Sequence, residues 1–421
     1  MDSSRFVFPE PFFPIIIFRP PWNSKTLFSK FLKNVKERVL SIFILKLYAK
    51  TLEKSKQRTY YNPMKTGYIT LPLHYGRAPR WLFQRMVKLS RAIVEAIVME
   101  FGPDELLKRL SDPLWFQAFG CLLGFDWHSS GLTTTTGGAL REALKDIQYD
   151  LGLFIAGGKG RTSRKTPEEI LTISEKTGIE GDSLVYVSRM TAKVDSSLLQ
   201  DGYQIYHHII LFTKEGKWAV IQQGLNEIDR TARRYHWLGE KIESLVKEPH
   251  TGFFFEKITE NVLDLTATNA EDARKILPEL ASRPPDKTIK ELNKLKVSEL
   301  PRRHAILIKD IKPENLRKIL LSTYERVPQN LEELLSLRGV GPKTIRALAL
   351  VSDLIYGAKP SYEDPVIYSY AHGGKDGHPY PVARRVYDRS IEVLERAITR
   401  AKLGKREELE TLRKLEKLFT Q

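Results

Sequence analysis

The sequence predicts an α+β fold, in which a mixed α+β domain with an antiparallel sheet is followed by an all-α domain. Three observations predict it. Apolar residues recur at helical spacing from Trp81 to Phe101 and from Leu106 to Leu123. Between Leu184 and Gln223 the period shifts towards two, around the turn residues Lys214-Glu215-Gly216-Lys217. Beyond a Pro- and Lys-rich junction at 284–301 the helical pattern returns and carries the ten residues LRGVGPKTIR, Leu337 to Arg346.

Taken in order, residues 1–63 form a basic extension. FVFPEPFFPIIIF is apolar but broken by prolines and too short for an integral membrane span, and FSKFLKNVKERVLSIFILKLYAKTL has the spacing of a basic amphipathic helix. It reads either as a membrane-surface or partner-binding helix, or as a start assigned too early; the second reading, with Met64 as the true start, is preferred. Residues 64–281 make the α+β domain and 282–421 the helical one. The helix from Trp81 stops at Gly102-Pro103, and Trp115, Phe116, Phe119 and Phe125 sit at core-like spacing. Thr166-Pro167-Glu168-Glu169 reads as a capping box opening a helix to about Lys176. Strands are expected at Leu184–Met190, Gln204–Phe212 and Trp218–Gln222. Asn330 caps a short helix Leu331–Leu337, and Pro342 opens a helix that runs to Tyr356. After Pro381 comes a charged amphipathic tail of one or two helices.

Charge narrows the partners. The formal net charge is +16, with 12 Lys and Arg against 4 Asp and Glu in residues 1–63 and 28 against 19 in 282–421, which leaves the middle near neutral. A basic C-terminal domain beside a neutral one fits double-stranded DNA as partner. A hydrophobic content of 42% suits a globular chain, the single cysteine, Cys121, excludes structural disulfides and points to a reducing, cytoplasmic setting, and DNA as partner implies nucleoid association there. The oligomeric state is left open.

In LRGVGPKTIR, Gly339 and Gly341 flank Val340 in a tight turn that faces backbone amides outward, and the following helix N-terminus adds a positive pole. With Lys343, Thr344 and Arg346 these residues form a DNA-phosphate clamp of helix-hairpin-helix type. The stretch resembles the helix-hairpin-helix DNA glycosylase superfamily, whose endonuclease III branch has a lysine at the position of Lys343 and an essential aspartate matched here by Asp364, twenty-one residues on. That gap is longer than usual, and one cysteine cannot hold the iron-sulfur cluster of many members. The resemblance implies a glycosylase with AP lyase activity on an oxidised or deaminated pyrimidine, flipped into a pocket near Tyr362, Tyr368, Tyr370 and His372. Lys343 would form the Schiff base and Asp364 would stabilise the developing positive charge; no cofactor or metal is implied. The alternative for Lys343 is phosphate contact alone, because GVGPKT also occurs in noncatalytic hairpins.

The middle domain has polar clusters of its own, including LPLHYGRAPRWL, GFDWHSSGLTTTTGGAL, AGGKGRTSRKTP and VDSSLLQDGYQIYHH. With the later AHGGKDGHPYPV they resemble the archaeal and bacterial family catalogued as domain of unknown function 763, from Met64 to about Val382. That name carries no biochemical role. The GGKG loop, with Lys159, Arg161, Arg164 and Lys165 ahead of a helix, suits a phosphate. Asp195, Asp201, His207 and Gln222 are the residue types of a metal-dependent nuclease, although Gly224 stands where that pattern requires a lysine. His207 and His208 face opposite sides of a strand, so a given site takes one of them. Two alternatives therefore stand beside the glycosylase: a noncatalytic DNA-binding scaffold, and a nuclease with its site in the middle domain.

Overall fold

A computed structural model of the chain describes residues 78–125, 130–254, 259, 262–297, 300, 304 and 308–365. The extension 1–63, Met64, the tail after Pro381, and Tyr368, Tyr370 and His372 lie outside the described residues. The fold is α+β.

Four helices come first: α1 (Arg80–Phe101), α2 (Pro103–Leu110), α3 (Pro113–Leu122) and α4 (Gly131–Leu144), followed by the short α5 (Gln148–Leu151). The apolar run Leu106–Leu123 is two helices rather than one. Asp112 ends the first and caps the second, its carboxylate accepting from the amides of Leu114 (2.8 Å) and Trp115 (3.0 Å), with Pro113 in the first turn of α3. Trp115, Phe116 and Phe119 are buried, and Phe125 packs against the same cluster.

The sheet has five antiparallel strands in the order β1 (Leu153–Lys159), β3 (Gln204–Thr213), β4 (Trp218–Asn226), β5 (Thr231–Leu238) and β6 (Gly252–Phe254). The turn at Lys214–Lys217 joins β3 to β4, with the Thr213 amide donating to the Lys217 carbonyl (2.9 Å). A two-stranded ladder pairs β2 (Leu199–Gln200) with β7 (Leu263–Asp264), and Asp264 also pairs with Ser361.

Strand alternation sorts the sheet's side chains into two layers. Ile155, Ile209, Leu211, Ala219 and Ile221 pack on α1 to α4. Phe154, Ile210, Phe212, Val220 and Trp237 face the other layer, which holds α6 (Thr166–Thr177), α7 (Gly181–Lys193), α8 (Glu271–Ala281), α9 (Pro285–Val297), α10 (Pro313–Arg326), α11 (Leu331–Ser336) and α12 (Pro342–Tyr356). One apolar cluster runs from this sheet face through α12, so it extends across residues 281 and 282, where the sequence suggests a boundary.

Three local expectations are corrected. Leu184–Met190 lies in α7, not in a strand: Leu184, Val185, Ser188 and Thr191 are buried at a spacing of one, three and four, so tertiary packing on a helical face overrides the β-branched and aromatic pattern. Residues 285–297 are helix α9 rather than linker. The capping box at Thr166 is not formed, although α6 begins there: the Thr166 hydroxyl donates to the Ser163 carbonyl (2.7 Å), and Glu169 pairs with Arg141 (2.7 Å) and accepts from the Gly157 amide (2.8 Å). Glu169 thus anchors the glycine-rich loop. Gly157 itself, at φ +100°, must be glycine because a Cβ would collide with the His208 carbonyl.

Candidate nucleic-acid interface

The hairpin is built as its sequence suggests. Asn330 caps α11, its Oδ1 accepting from the Glu333 amide (2.8 Å), and Gly339 sits at φ +91°, a conformation open to glycine. Gly341 is extended, and no side chain caps the start of α12. The first amides of that helix therefore lack intrahelical partners and carry its positive pole. Val340 and Thr344 bury their side chains, which leaves only their backbone for a phosphate.

Three contacts brace this turn against the rest of the molecule. Lys193, at the end of α7, donates from Nζ to the carbonyls of Leu335 (2.5 Å) and Leu337 (2.8 Å), closing the C-terminal end of α11; burial pulls its pKa down. Gln200 donates to the Pro342 carbonyl (2.9 Å) and accepts from Arg346 Nε (2.7 Å). Asp310 pairs with Arg346 (2.7 Å) and lies 3.5 Å from Lys343 Nζ, whose side chain remains 63% exposed.

Beneath the hairpin a cleft of about 780 Å³ opens between α12 and the middle of the chain. Pro342 and Arg346 line one side, Arg164 of the 3₁₀ turn Gly160–Lys165 another, and Ser188 and Arg189 of α7 a third, with His208 of β3 between them. A chain of hydrogen bonds leads inward from the cleft. Ser188 Oγ lies 2.8 Å from His208 Nε2, His208 Nδ1 lies 3.0 Å from Gln222 Oε1, and Gln222 Nε2 donates to Asp195 Oδ2 (2.6 Å). Trp237 Nε1 donates to the same oxygen (3.0 Å), and His250 Nε2 lies 2.5 Å from Asp195 Oδ1.

The chemistry fixes the direction of this chain. A carboxylate only accepts, so the Gln222 amide nitrogen faces Asp195 and its oxygen faces His208. His208 therefore carries its proton on Nδ1, and its Nε2 lone pair accepts from the Ser188 hydroxyl. Burial lowers the His208 pKa, against the pull of Gln222 and Asp195, and keeps the ring neutral.

A family model described as "Protein of unknown function (DUF763)" matches residues 67–382. The chain belongs to that family. No curated protein and no solved structure matches it. In this DUF763 protein the hairpin, the cleft and the hydrogen-bonded chain all fall inside the matched residues.

The other expected site residues of the DUF763 chain scatter. Asp364 is buried and accepts from Arg233 Nη1 (3.0 Å), Arg233 Nη2 (2.7 Å) and the Thr259 amide (2.7 Å). Its charged partner is thus Arg233, whereas that of Lys343 is Asp310. Asp201 shares the same guanidinium (2.8 Å) and accepts from the Tyr235 hydroxyl (2.8 Å); burial raises its pKa against the pull of Arg233. Of the four nuclease candidates, Asp195 and Gln222 come together, Asp201 belongs to the Arg233 cluster, and His207 faces the opposite layer beside Gly137 of α4. Both ring nitrogens of His207 lack a partner among the described residues, and burial drives its pKa down to about 3. Among the described residues no three His, Cys, Asp or Glu side chains form a metal-holding group.

Of the glycine-loop cations, Arg164 lines the cleft, Lys159 lies over the Tyr206 ring at 5.6 Å, Lys165 borders a separate hollow beside Glu169, and Arg161 is exposed. Tyr362 donates to Asp353 (2.6 Å) and sits edge-on to His304, away from the cleft lining. The sequence reading passed over Ser188, because a strand there would not turn it towards His208. It also passed over Asp310, Gln200 and Lys193, whose contacts with the hairpin cross more than thirty residues of sequence.

Proposed function

We propose that this chain binds double-stranded DNA by its backbone, with the glycine turn Gly339–Gly341 and the start of α12 as the grip. The observation that carries the reading is an uncapped fifteen-residue helix whose N-terminal turn presents exposed Lys343 and is tied to Gln200 and Asp310, while Lys193 ties down the end of α11 before it. Pre-organised amides and an ammonium are what a phosphodiester needs, and they carry no base specificity. Nucleoid association follows from such a grip.

Base excision by Lys343 and Asp364 is the more specific reading. The contacts made by these two residues support gripping over excision: Asp364 is enclosed with Arg233 and the Thr259 amide, and Lys343 stands in solvent beside Asp310. The nuclease reading has only the Asp195–Gln222 pair of its set in one place.

Fluorescence anisotropy on an undamaged duplex across a salt series tests the proposal. Lys343→Ala is expected to weaken binding to all sequences alike and to lower the salt slope by about 1. Binding that is unchanged by Lys343→Ala and by Gly339→Val would remove the hairpin from the interface. Borohydride trapping on an abasic duplex reads the excision chemistry separately, and a covalent adduct lost in Lys343→Ala would restore the lyase.

A further inference from the structure

We propose that Ser188 is a nucleophile and His208 its general base, and that the cleft beneath the hairpin acts on a phosphodiester. The inference takes its substrate from the DNA-binding reading, whereas its nucleophile stands on the cleft alone.

Geometry is the first support. A serine hydroxyl becomes nucleophilic when a neutral imidazole accepts its proton and a third group holds the ring in the correct tautomer. Ser188, His208 and Gln222 meet that description at 2.8 and 3.0 Å, and Asp195 fixes the amide that fixes the ring. Ser188 and His208 are almost wholly buried, at 4% and 5% exposure, yet both border the cleft, an opening that a hydrogen bond made only for stability does not need. The π-helical turn Val194–Leu198, which supplies Asp195, directly continues the helix that carries Ser188, and such insertions gather at functional sites.

The lining selects the substrate class. Arg164, Arg189 and Arg346 border the cleft, and among the described residues that line it none is Asp or Glu. Three guanidinium groups, of which Arg346 is paired with Asp310 outside the lining, suit the equatorial oxygens of a phosphoryl group in transfer. Pro342 and Arg346 belong to both the cleft wall and the first turns of the clamp helix, so a backbone held by the hairpin lies next to the serine.

The step balances without a co-reactant. Ser188 Oγ attacks phosphorus and gives its proton to His208 Nε2. The Oγ–P bond forms as one ester P–O bond breaks, and the leaving alkoxide takes the proton from Nε2. The product is a strand end linked to the protein through phosphoserine, together with a strand end bearing a free hydroxyl. Attack by that hydroxyl, or by water, regenerates the serine.

Diisopropyl fluorophosphate tests the nucleophile, since Oγ displaces fluoride from phosphorus in the same manner. Ser163 and Ser196 border the same cleft, donate to the Gly160 and Ala192 carbonyls, and serve as internal controls. Mass spectrometry of the full chain is expected to find Ser188 labelled at least tenfold faster than either control, with the label lost in His208→Asn. A folded wild-type chain whose Ser188 reacts no faster than Ser163 and Ser196 overturns the proposal; because that arm needs no variant, a misfolded His208→Asn does not protect it. Duplexes with a bridging phosphorothiolate, which traps the linkage, are expected to yield a covalent protein–DNA adduct that is absent in Ser188→Ala. Anisotropy on the same preparations separates the two claims. Binding without label sinks the serine alone, and label without binding sinks DNA as partner and phosphodiester substrate together.

Discussion

Arg233 determines what Asp364 can do. One guanidinium, with no solvent exposure, holds the carboxylates of Asp201 and Asp364 from two sides. Removing Asp364 leaves Arg233 paired with Asp201 but strips an Arg233 Nη2 hydrogen bond and the Thr259 amide of their carboxylate acceptor, and buried donors left unsatisfied cost about 1–3 kcal/mol. Asp364→Ala is therefore expected to lower the unfolding free energy by that order in urea titration; a catalytic aspartate without this structural duty would leave stability within about 0.5 kcal/mol of wild type. Asp310 is the converse case, because it is exposed and pairs with Lys343 and Arg346, the cations that the proposed grip would turn to phosphate. Asp310→Asn is expected to tighten duplex binding several-fold at low salt, and unchanged or weaker binding would mean that the phosphate path avoids this corner. Residue identity alone discloses neither partnership. A motif match assigned chemistry to Asp364, yet its partner comes from β5, more than a hundred residues earlier in the chain. Nothing local in TARRYHWL signals that two adjacent arginines are buried on opposite faces, Arg233 against carboxylates and Arg234 against Thr133, Gln117 and the Pro113 carbonyl.

Among the elements, the hairpin was the most legible, because its determinants are local: an asparagine cap, one glycine at positive φ and a proline in the first turn. Its bracing was not, since Lys193 reaches Leu335 and Leu337 only once α7 is a helix. Lys193→Met would keep the apolar stem and remove the two bonds. Duplex affinity is expected to fall although Lys193 lies on a different element from the grip, and hydrogen exchange at residues 337–346 should quicken; unaltered exchange there would deny the brace its role. Strands β1 and β5 escaped notice for opposite reasons. LFIAGGK ends in glycines that read as loop, and TARRYHWL carries charges that read as surface. Period two survives in both, but only the pairing with β3 and β4 gives it meaning.

For the whole molecule, buried titratable groups set the response to pH. Burial lowers the pKa values of His207, His208 and His236, with that of His207 at about 3. Below the ordinary histidine value of roughly 6.5 the unfolded chain binds protons that the folded one refuses, so stability falls as pH drops, by up to about 1.4 kcal/mol per pH unit for each such group. Asp264 acts in the opposite sense, its pKa raised by burial to about 6, and offsets part of the loss between about pH 4 and 6. Denaturant midpoints should therefore decline from pH 7 to 5, and His207→Leu should flatten the decline; a profile level over that range would mean that these rings are protonated in the fold. The α+β class and the helical C-terminal pattern were legible because both rest on periodicity. The shared core was not, because it depends on which faces meet.

The Arg233 cluster also bears on inheritance. A recombination event that exchanged the segment around Asp364 for an unrelated one would leave Arg233 with Asp201 but take the acceptor from its second nitrogen, and the reciprocal product would carry an orphaned acid. The sheet and the stretch following α12 thus fit best when passed on as a pair, whatever modular look the primary structure has.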